Sequence, residues 1–203
     1  MVALASSGSS WRVTAPSLVL GSASPRRREL LERLGITPTA VAAPDIDEIH
    51  FKTETPRDYA RRMAREKAQA ISSSSAHVLA GDTVVAVGRR ILPKAEDEDT
   101  ARQCLKLLSG RRHRVLSAIA LKAPDGVIRE RLSETIVRFK RLSAAEIEAY
   151  IMSRDWHGKA GGYAIQGSAE GLIVSISGSH SGVVGLPLFE TRALLRAAGF
   201  PIG

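Results

Sequence analysis

Apolar positions along this chain recur with a period near two in some stretches and near 3.6 in others, which predicts alternating strands and helices. Ser17–Gly21 reads as a strand, followed by a helix from Pro25 to Leu34 that Gly35 ends. A second strand, Thr39–Ala42, leads into the acidic segment Asp45–Glu48. Thr55-Pro56-Arg57-Asp58 combines a cap residue, a proline at the first helical position and an acid in the first turn, so a helix is expected from there to about Ile71. Val78–Val87 is β-rich, and Asp97–Leu108 is a helix closed by Ser109-Gly110. Val115–Leu121 and Val127–Phe139 read as paired strands turning at Pro124-Asp125-Gly126. Ser143-Ala144-Ala145-Glu146 forms a capping box for a helix to about Ser153, Gly171–Ser177 is a strand, and Leu186–Ala198 a closing helix. Strands alternating with helices predict an α/β fold, and the hairpin makes the sheet mixed. With no linker in view, residues 17–203 are expected to form one domain, with two lobes around a cleft, behind a flexible tail at residues 1–16.

Two charged residues break these patterns. Lys67 lies within the apolar stripe Tyr59, Ala60, Met63, Ala64, Ala68 and Ile71 of the second helix. An ammonium on that face must snorkel out, pair with an acid or reach a ligand. Asp82 interrupts the run Val78-Leu79-Ala80 to Val84-Val85-Ala86-Val87. A carboxylate there needs a cation, a metal or a proton-transfer role, unless it caps a local turn of its own backbone. Asp45, Asp47 and Glu48 follow Pro44 on a strand-end loop, which is either a solvated acidic loop or, beside phosphate, a Mg²⁺ site.

Gly21-Ser22-Ala23-Ser24-Pro25-Arg26-Arg27-Arg28 sits at a strand-to-helix junction. Ser24 is placed to cap the helix and Pro25 suits its first position. The free N–H groups and the dipole favour an anion, and Arg26 and Arg27 add forked donors matching phosphate oxygens. Three consecutive arginines splay about 100° apart on a helix, so not all can reach one ligand. Lys94, after Ile91-Leu92-Pro93, is a further candidate cation or plain surface. In Gly161-Gly162-Tyr163-Ala164-Ile165-Gln166-Gly167 the glycines permit close backbone approach, and Gln166 offers a donor and an acceptor suited to a base edge or sugar.

Other near-matches fail. No Gly-Lys-Ser/Thr occurs, so there is no Walker loop. Gly178-Ser179-His180-Ser181-Gly182 has His where a nucleophile elbow needs Ser. Arg28–Ile36 resembles the core of a Nudix box but carries Arg33 at the metal-binding glutamate position, so it reads as amphipathic packing. The five histidines show no zinc-ligand spacing.

Composition narrows the partners. The 203 residues are 44% hydrophobic and 25% charged, ordinary for a globular chain, and only 4% aromatic, so the core must be aliphatic. Net charge is +8, which points to polyanions. A nucleic-acid binder would want a basic face and stacking aromatics, whereas the basic residues here are dispersed and aromatics few, so no stable nucleic-acid complex is expected. A non-catalytic regulator of division is the other alternative. The lone Cys104 falls on the stripe Ala101, Cys104, Leu105, Leu108 and reads as core; one cysteine fits a reducing compartment. No apolar run approaches the ~18 residues of a membrane span, and Met1–Ala15 makes a poor signal peptide, so a cytoplasmic location is expected.

Taken in order, GSASPRRRELLERLGI (21–36), PDIDE (44–48), ETPRDYARRMAREKA (54–68), GDTVV (81–85), LSGRRHRV (108–115), GKAGGYAIQG (158–167) and GSHSGVVGLPLFET (178–191) resemble the Maf family of nucleoside triphosphate pyrophosphatases, the septum-formation Maf-like proteins. The resemblance implies a mixed twisted β-sheet flanked by helices, two lobes around a cleft as in inosine-triphosphatase-like folds, and often a homodimer. It implies cleavage of nucleoside triphosphates between the α and β phosphates with a divalent metal cation, Mg²⁺ or Mn²⁺. By motif match Asp82 would accept a proton from water; Ser24, Arg26, Arg27, Lys67 and Lys94 would bind substrate; and Glu48 would help Asp82 at the metal. Arg26, Thr83 and Gln166 fall where the dTTP/UTP branch, rather than the 7-methyl-GTP branch, has its specificity residues. Family roles suggested are removal of noncanonical pyrimidine nucleotides and restraint of septum formation. Two departures stand out: the family often has Lys-Pro where this chain has Lys94-Ala95 after Pro93, and an acid where it has His157-Gly158 before Lys159.

Overall fold

In the computed structural model, which describes residues 16–203, the elements are β1 (Leu18–Gly21), α1 (Pro25–Glu32), β2 (Ala40–Val41), α2 (Pro56–Ala70), β3 (His77–Val87), β4 (Arg90–Leu92), β5 (Lys94–Ala95), α3 (Glu98–Leu108), β6 (Arg112–Lys122), β7 (Ile128–Phe139), α4 (Ala144–Ser153), β8 (Lys159–Ala160), a 3-10 turn (Ser168–Leu172), β9 (Ile173–Ser177), α5 (His180–Val184) and α6 (Leu188–Ala197). The tail expected at residues 1–16 lies, apart from Pro16, outside the described residues. The main sheet runs β2-β1-β3-β6-β7-β9, with β4 also on β3; β1 pairs parallel to β2 and β3, and the remaining pairs are antiparallel. This is the mixed α/β sheet that the pattern predicts. β5 and β8 form a separate two-stranded sheet.

Along β3 and β6 the sheet is buried on both faces, and the period of two along β3 sorts its residues between them. Ala80, Val84 and Ala86 pack with Ala118, Ala120 and Leu116 of β6 beneath Tyr59, Ala60, Met63, Ala64 and Ala68 of α2. Leu79 and Val85 join a second core with Leu30 and Leu31 of α1, Cys104 and Leu105 of α3, and Leu194 and Leu195 of α6. Alanines on both sides of the first interface let α2 lie close to the sheet.

Most departures from the expected bounds are at ends. α1 stops at Glu32 and closes through Gly35, whose φ of 72° suits a residue without Cβ. β6 begins at Arg112 rather than Val115, because pairing with β7 continues past the apolar run. The C-terminal strand starts at Ile173 after the 3-10 turn, the expected closing helix is α6, and the short α5 before it was not anticipated. The Gly178–Gly182 segment is structural: Ser179 Oγ caps α5 through Gly182 N–H, and Ser181 Oγ accepts from Leu188 N–H.

Strand lengths create the cleft. β1 ends at Gly21, paired with Ala80, and β4 begins its pairing with β3 at Val85. On that edge residues 81–84 therefore have no strand partner, and both faces of β3 become reachable from one opening. A crevice at the carboxyl end of a strand, where neighbouring chains diverge, is the usual ligand position in open α/β sheets.

Candidate active site

The cleft at this gap is a cavity of about 320 Å³, and Ser24, Arg26, Arg27, Glu48, Lys67, Asp82, Thr83, Lys94 and Gln166 all line it. The structure thus brings together the nine residues to which the family resemblance assigns roles. Asp45 and Asp47 are exposed and are not among the lining residues.

Asp82 belongs to the α2 face of β3, in step with Ala80 and Val84, and meets Lys67 there. Lys67 Nζ lies 2.6 Å from Asp82 Oδ1 and 2.7 Å from Glu48 Oε1, bridging the two carboxylates. Only 6% of Lys67 and 6% of Asp82 is exposed, so Lys67 does not snorkel out, and Asp82 is part of a strand rather than a turn cap. Lys94 Nζ reaches the other Glu48 oxygen at 2.9 Å. Burial alone would raise the Glu48 carboxyl, but its bonds to Lys67 and Lys94 outweigh that and hold it down at about 2. Glu48 is placed by its backbone. Tyr59 Oη donates to the Glu48 carbonyl at 2.8 Å, and Arg62 Nη2 donates to the Ile49 carbonyl at 2.8 Å. Arg62 also grips Glu54 through two 2.8 Å bonds and stacks over Phe51 at 4.2 Å. The sequence reading missed this clamp; Tyr59 and Arg62 offer only helical spacing as a signal.

Thr83 belongs to the opposite face and meets Arg27. The Arg27 guanidinium donates to the Gly185 carbonyl at 2.9 Å, Ser22 Oγ at 3.1 Å and Thr83 Oγ1 at 3.4 Å. Ser117 Oγ lies 3.1 Å from Thr83 Oγ1 and bonds the Gly182 carbonyl. All three acceptors are neutral, so Arg27 keeps an unneutralised charge at the cleft wall; burial lowers its pKa, against the charge of Asp82. Ser24 occupies the cap position of α1 but makes no side-chain cap bond, contrary to expectation. Ser22 Oγ, missed in the sequence, accepts the Ser24 N–H at 3.2 Å instead.

The far wall comes from residues 158–166. Ala164 N–H donates to Tyr150 Oη at 3.0 Å, and buried Tyr163 bonds His113 Nε2 at 2.8 Å, which fixes the segment leading to exposed Gln166. The glycine pair does permit close approach, but to protein: at φ 69° Gly161 sits where a Cβ would come within 2.8 Å of Val85, and Gly162 abuts α3. Lys159, not singled out earlier for itself, also lines the cavity.

Among the described residues no three His, Cys, Asp or Glu side chains converge as a metal cage. What the cleft offers is two hard carboxylates, Glu48 and Asp82, within reach of a common group. That donor set fits a cation such as Mg²⁺, which takes one or two carboxylates and completes its shell with phosphate oxygens and water. Among the described residues no helix is long and apolar enough to cross a membrane.

Comparison with known proteins places this geometry. Residues 17–198 match the model of the family described as Maf-like protein. A dTTP/UTP pyrophosphatase of Novosphingobium aromaticivorans is 68% identical over 189 residues, covering 92% of this chain and 94% of its own. Proteins of the same description from Zymomonas mobilis and Gluconobacter oxydans are 60% and 58% identical, covering 93% and 97% of this chain and 94% and 92% of their own. A solved structure of a HAM1 protein from Coxiella burnetii superposes with a TM-score of 0.52 at 16% identity, over 90% of this chain and 99% of that one, a likeness of fold. With the family model spanning residues 17–198, most of its length, the chain belongs to the Maf family.

Proposed function

We propose that this chain is a nucleoside triphosphate pyrophosphatase that hydrolyses dTTP and UTP to the monophosphate and pyrophosphate. The relatives' shared description supports the substrate class. The observation that carries the chemistry is the Lys67 bridge, which joins two carboxylates in the wall of a cleft that four further cationic side chains also line. Asp82 accepts the proton of the attacking water, with Lys67 holding its carboxylate in place. A bound Mg²⁺ or Mn²⁺, held by Glu48 and Asp82, would supply charge neutralisation at the phosphates. Arg26, Arg27, Lys67 and Lys94 orient the triphosphate and stabilise charge developing on it, and Ser24 adds a hydroxyl at the N-terminus of α1. Gln166 reads the base with its amide donor and acceptor. Thr83 acts on selectivity through Arg27, whose guanidinium it helps to orient. The buried, unpaired Cys104 fits a reducing, cytoplasmic setting.

The test is pyrophosphate release from dTTP, UTP and 7-methyl-GTP with Mg²⁺, comparing wild type with Asp82→Asn. Loss of a general base lowers turnover by about 10²–10⁴-fold, and that is the expected drop. No release from any nucleotide, or an undiminished variant, sinks the proposal. Preference for 7-methyl-GTP overturns the choice of branch alone.

A further inference from the structure

Five cationic side chains line the cleft, and they differ in what balances them. Lys67 and Lys94 are paired with carboxylates, and Arg27 is held by neutral oxygens. Arg26 and Lys159 have no ion pair among the described residues, although both are partly buried. Arg26 makes no side-chain hydrogen bond there either. Lys159 Nζ makes one, to the His157 carbonyl at 2.8 Å, leaving two of its three ammonium donors free.

Arg26 also acts on Lys159. Lys159 is pushed down first by burial and then by the positive charge of Arg26, which Asp155 and Glu96 only partly oppose. Burial likewise lowers Arg26. Two like charges held facing one cavity, without a shared acid, are unfavourable in the empty protein. A polyanion between them would remove that cost.

Position then selects which part of the substrate they meet. Resting on the function proposed above, the α-phosphate must lie by Asp82 and Glu48, where the water is activated. Lys67 and Lys94 crowd those carboxylates. The cations without acids remain for the other end of the triphosphate, the β and γ phosphates that depart as pyrophosphate. Arg26 reaches the cleft from α1 and Lys159 from β8, so a pyrophosphate spanning them ties one wall to the other.

We infer that Lys159 is a binding residue for the leaving pyrophosphate, acting with Arg26. Its ammonium donates to β- or γ-phosphate oxygens as the bond between the α-phosphorus and the bridging oxygen breaks and that oxygen takes the electron pair. The role is charge stabilisation, with no proton transfer required of Lys159.

The experiment compares wild type, Lys159→Gln and Lys159→Arg in binding of inorganic pyrophosphate and of UMP, each with Mg²⁺ and measured by calorimetry, alongside UTP turnover. Loss of a charge-assisted bond is expected to weaken pyrophosphate binding by about 10- to 100-fold in Lys159→Gln, with most of it recovered in Lys159→Arg. UMP binding and the melting temperature stay as in wild type. Pyrophosphate bound equally by wild type and Lys159→Gln, or not bound by wild type at all, overturns the inference. So does a parallel loss of UMP binding, which marks a structural defect. Wild type that binds pyrophosphate through Lys159 but releases none from UTP overturns the proposed activity instead, so the two failures are distinct.

Discussion

The two faces of β3 at the cleft carry opposite electrostatic solutions one residue apart. On the α2 face, Asp82 and Glu48 share Lys67, so charge is matched by charge, with Lys67 and Asp82 almost dry. On the other face, Thr83, Ser22 and the Gly185 carbonyl orient Arg27 with dipoles and leave its charge unmatched. A matched face suits proton transfer, since Lys67 holds both carboxylates in place beside one ammonium. An unmatched face suits anion binding, since its field is not spent internally. The division follows from the pleat: successive side chains on a strand point to opposite sides, and the missing edge partner at residues 81–84 opens both to one cavity.

The sharpest way to break this contrast is to remove the bridging ammonium. Lys67→Met leaves Asp82 buried without its partner, and removing one member of a buried pair typically costs about 3–5 kcal/mol. Urea unfolding at pH 7 should register a loss of that order. The double variant Lys67→Met/Asp82→Leu should regain much of it, because the surroundings are Ala60, Ala64 and Ala118. Thr83→Val, on the dipolar face, should cost about 1 kcal/mol, the scale of a neutral hydrogen bond. Similar losses for Lys67→Met and Thr83→Val would erase the distinction.

Acid should separate the faces next. Burial pushes His113, which is 2% exposed beside Phe139 and Tyr163 behind the Arg27 side, down to about 4. In the unfolded chain its pKa is ~6.5. Above that value the ring is neutral in both states. Between 6.5 and 4 the unfolded chain takes up a proton that the folded one refuses, so stability falls with falling pH, by roughly 3 kcal/mol in full. Glu48 has the same sign in a lower window: its contribution, full above the ordinary carboxylate range, is lost as pH falls from there through about 2. Unfolding measured at pH 6.5 and 4.5 should therefore lose most of the His113 term in wild type, and His113→Gln should flatten that slope. An unchanged slope in the variant would remove His113 as the weak point. Glu48 should stay ionised throughout, which NMR titration of its carboxyl can check.

These groups were not equally legible in the sequence. Lys67 and Asp82 each break an apolar period, and a broken period survives translation into three dimensions because burial forces the charge to find a partner. The partner itself was harder to find: Glu48 looked like one acid of a solvated run, and only the fold brings its loop over Lys67. Resemblance to a family supplied what spacing could not. His113 was hidden among Arg111, Arg112 and Arg114, which disguise a strand whose alternate residues turn inward. Two-residue strands such as β5 and β8 have no period at all, and so Lys159 carried no signal of its own. Ser22 acts through a hydroxyl and Gly185 through a backbone carbonyl, neither of which breaks any pattern along the chain.

The smallest expected effect concerns two caps that look alike in sequence. Ser24 and Thr55 each precede a proline at the first helical position. Thr55 Oγ1 accepts the Asp58 N–H at 3.2 Å and donates to Asp58 Oδ2 at 2.6 Å, so its hydroxyl is consumed by its helix. Ser24 faces the cleft and makes no cap bond. Thr55→Ala should therefore cost about 1 kcal/mol in unfolding free energy, whereas Ser24→Ala should cost a few tenths at most. Activity should invert the order: Ser24→Ala should raise the KM for UTP by a few fold, about the scale of one neutral hydrogen bond, and Thr55→Ala should leave it near wild type. Equal destabilisation by the two variants would mean that Ser24 serves α1 as Thr55 serves α2, and that the Arg27 face ends in a closed helix terminus rather than one left open for phosphate.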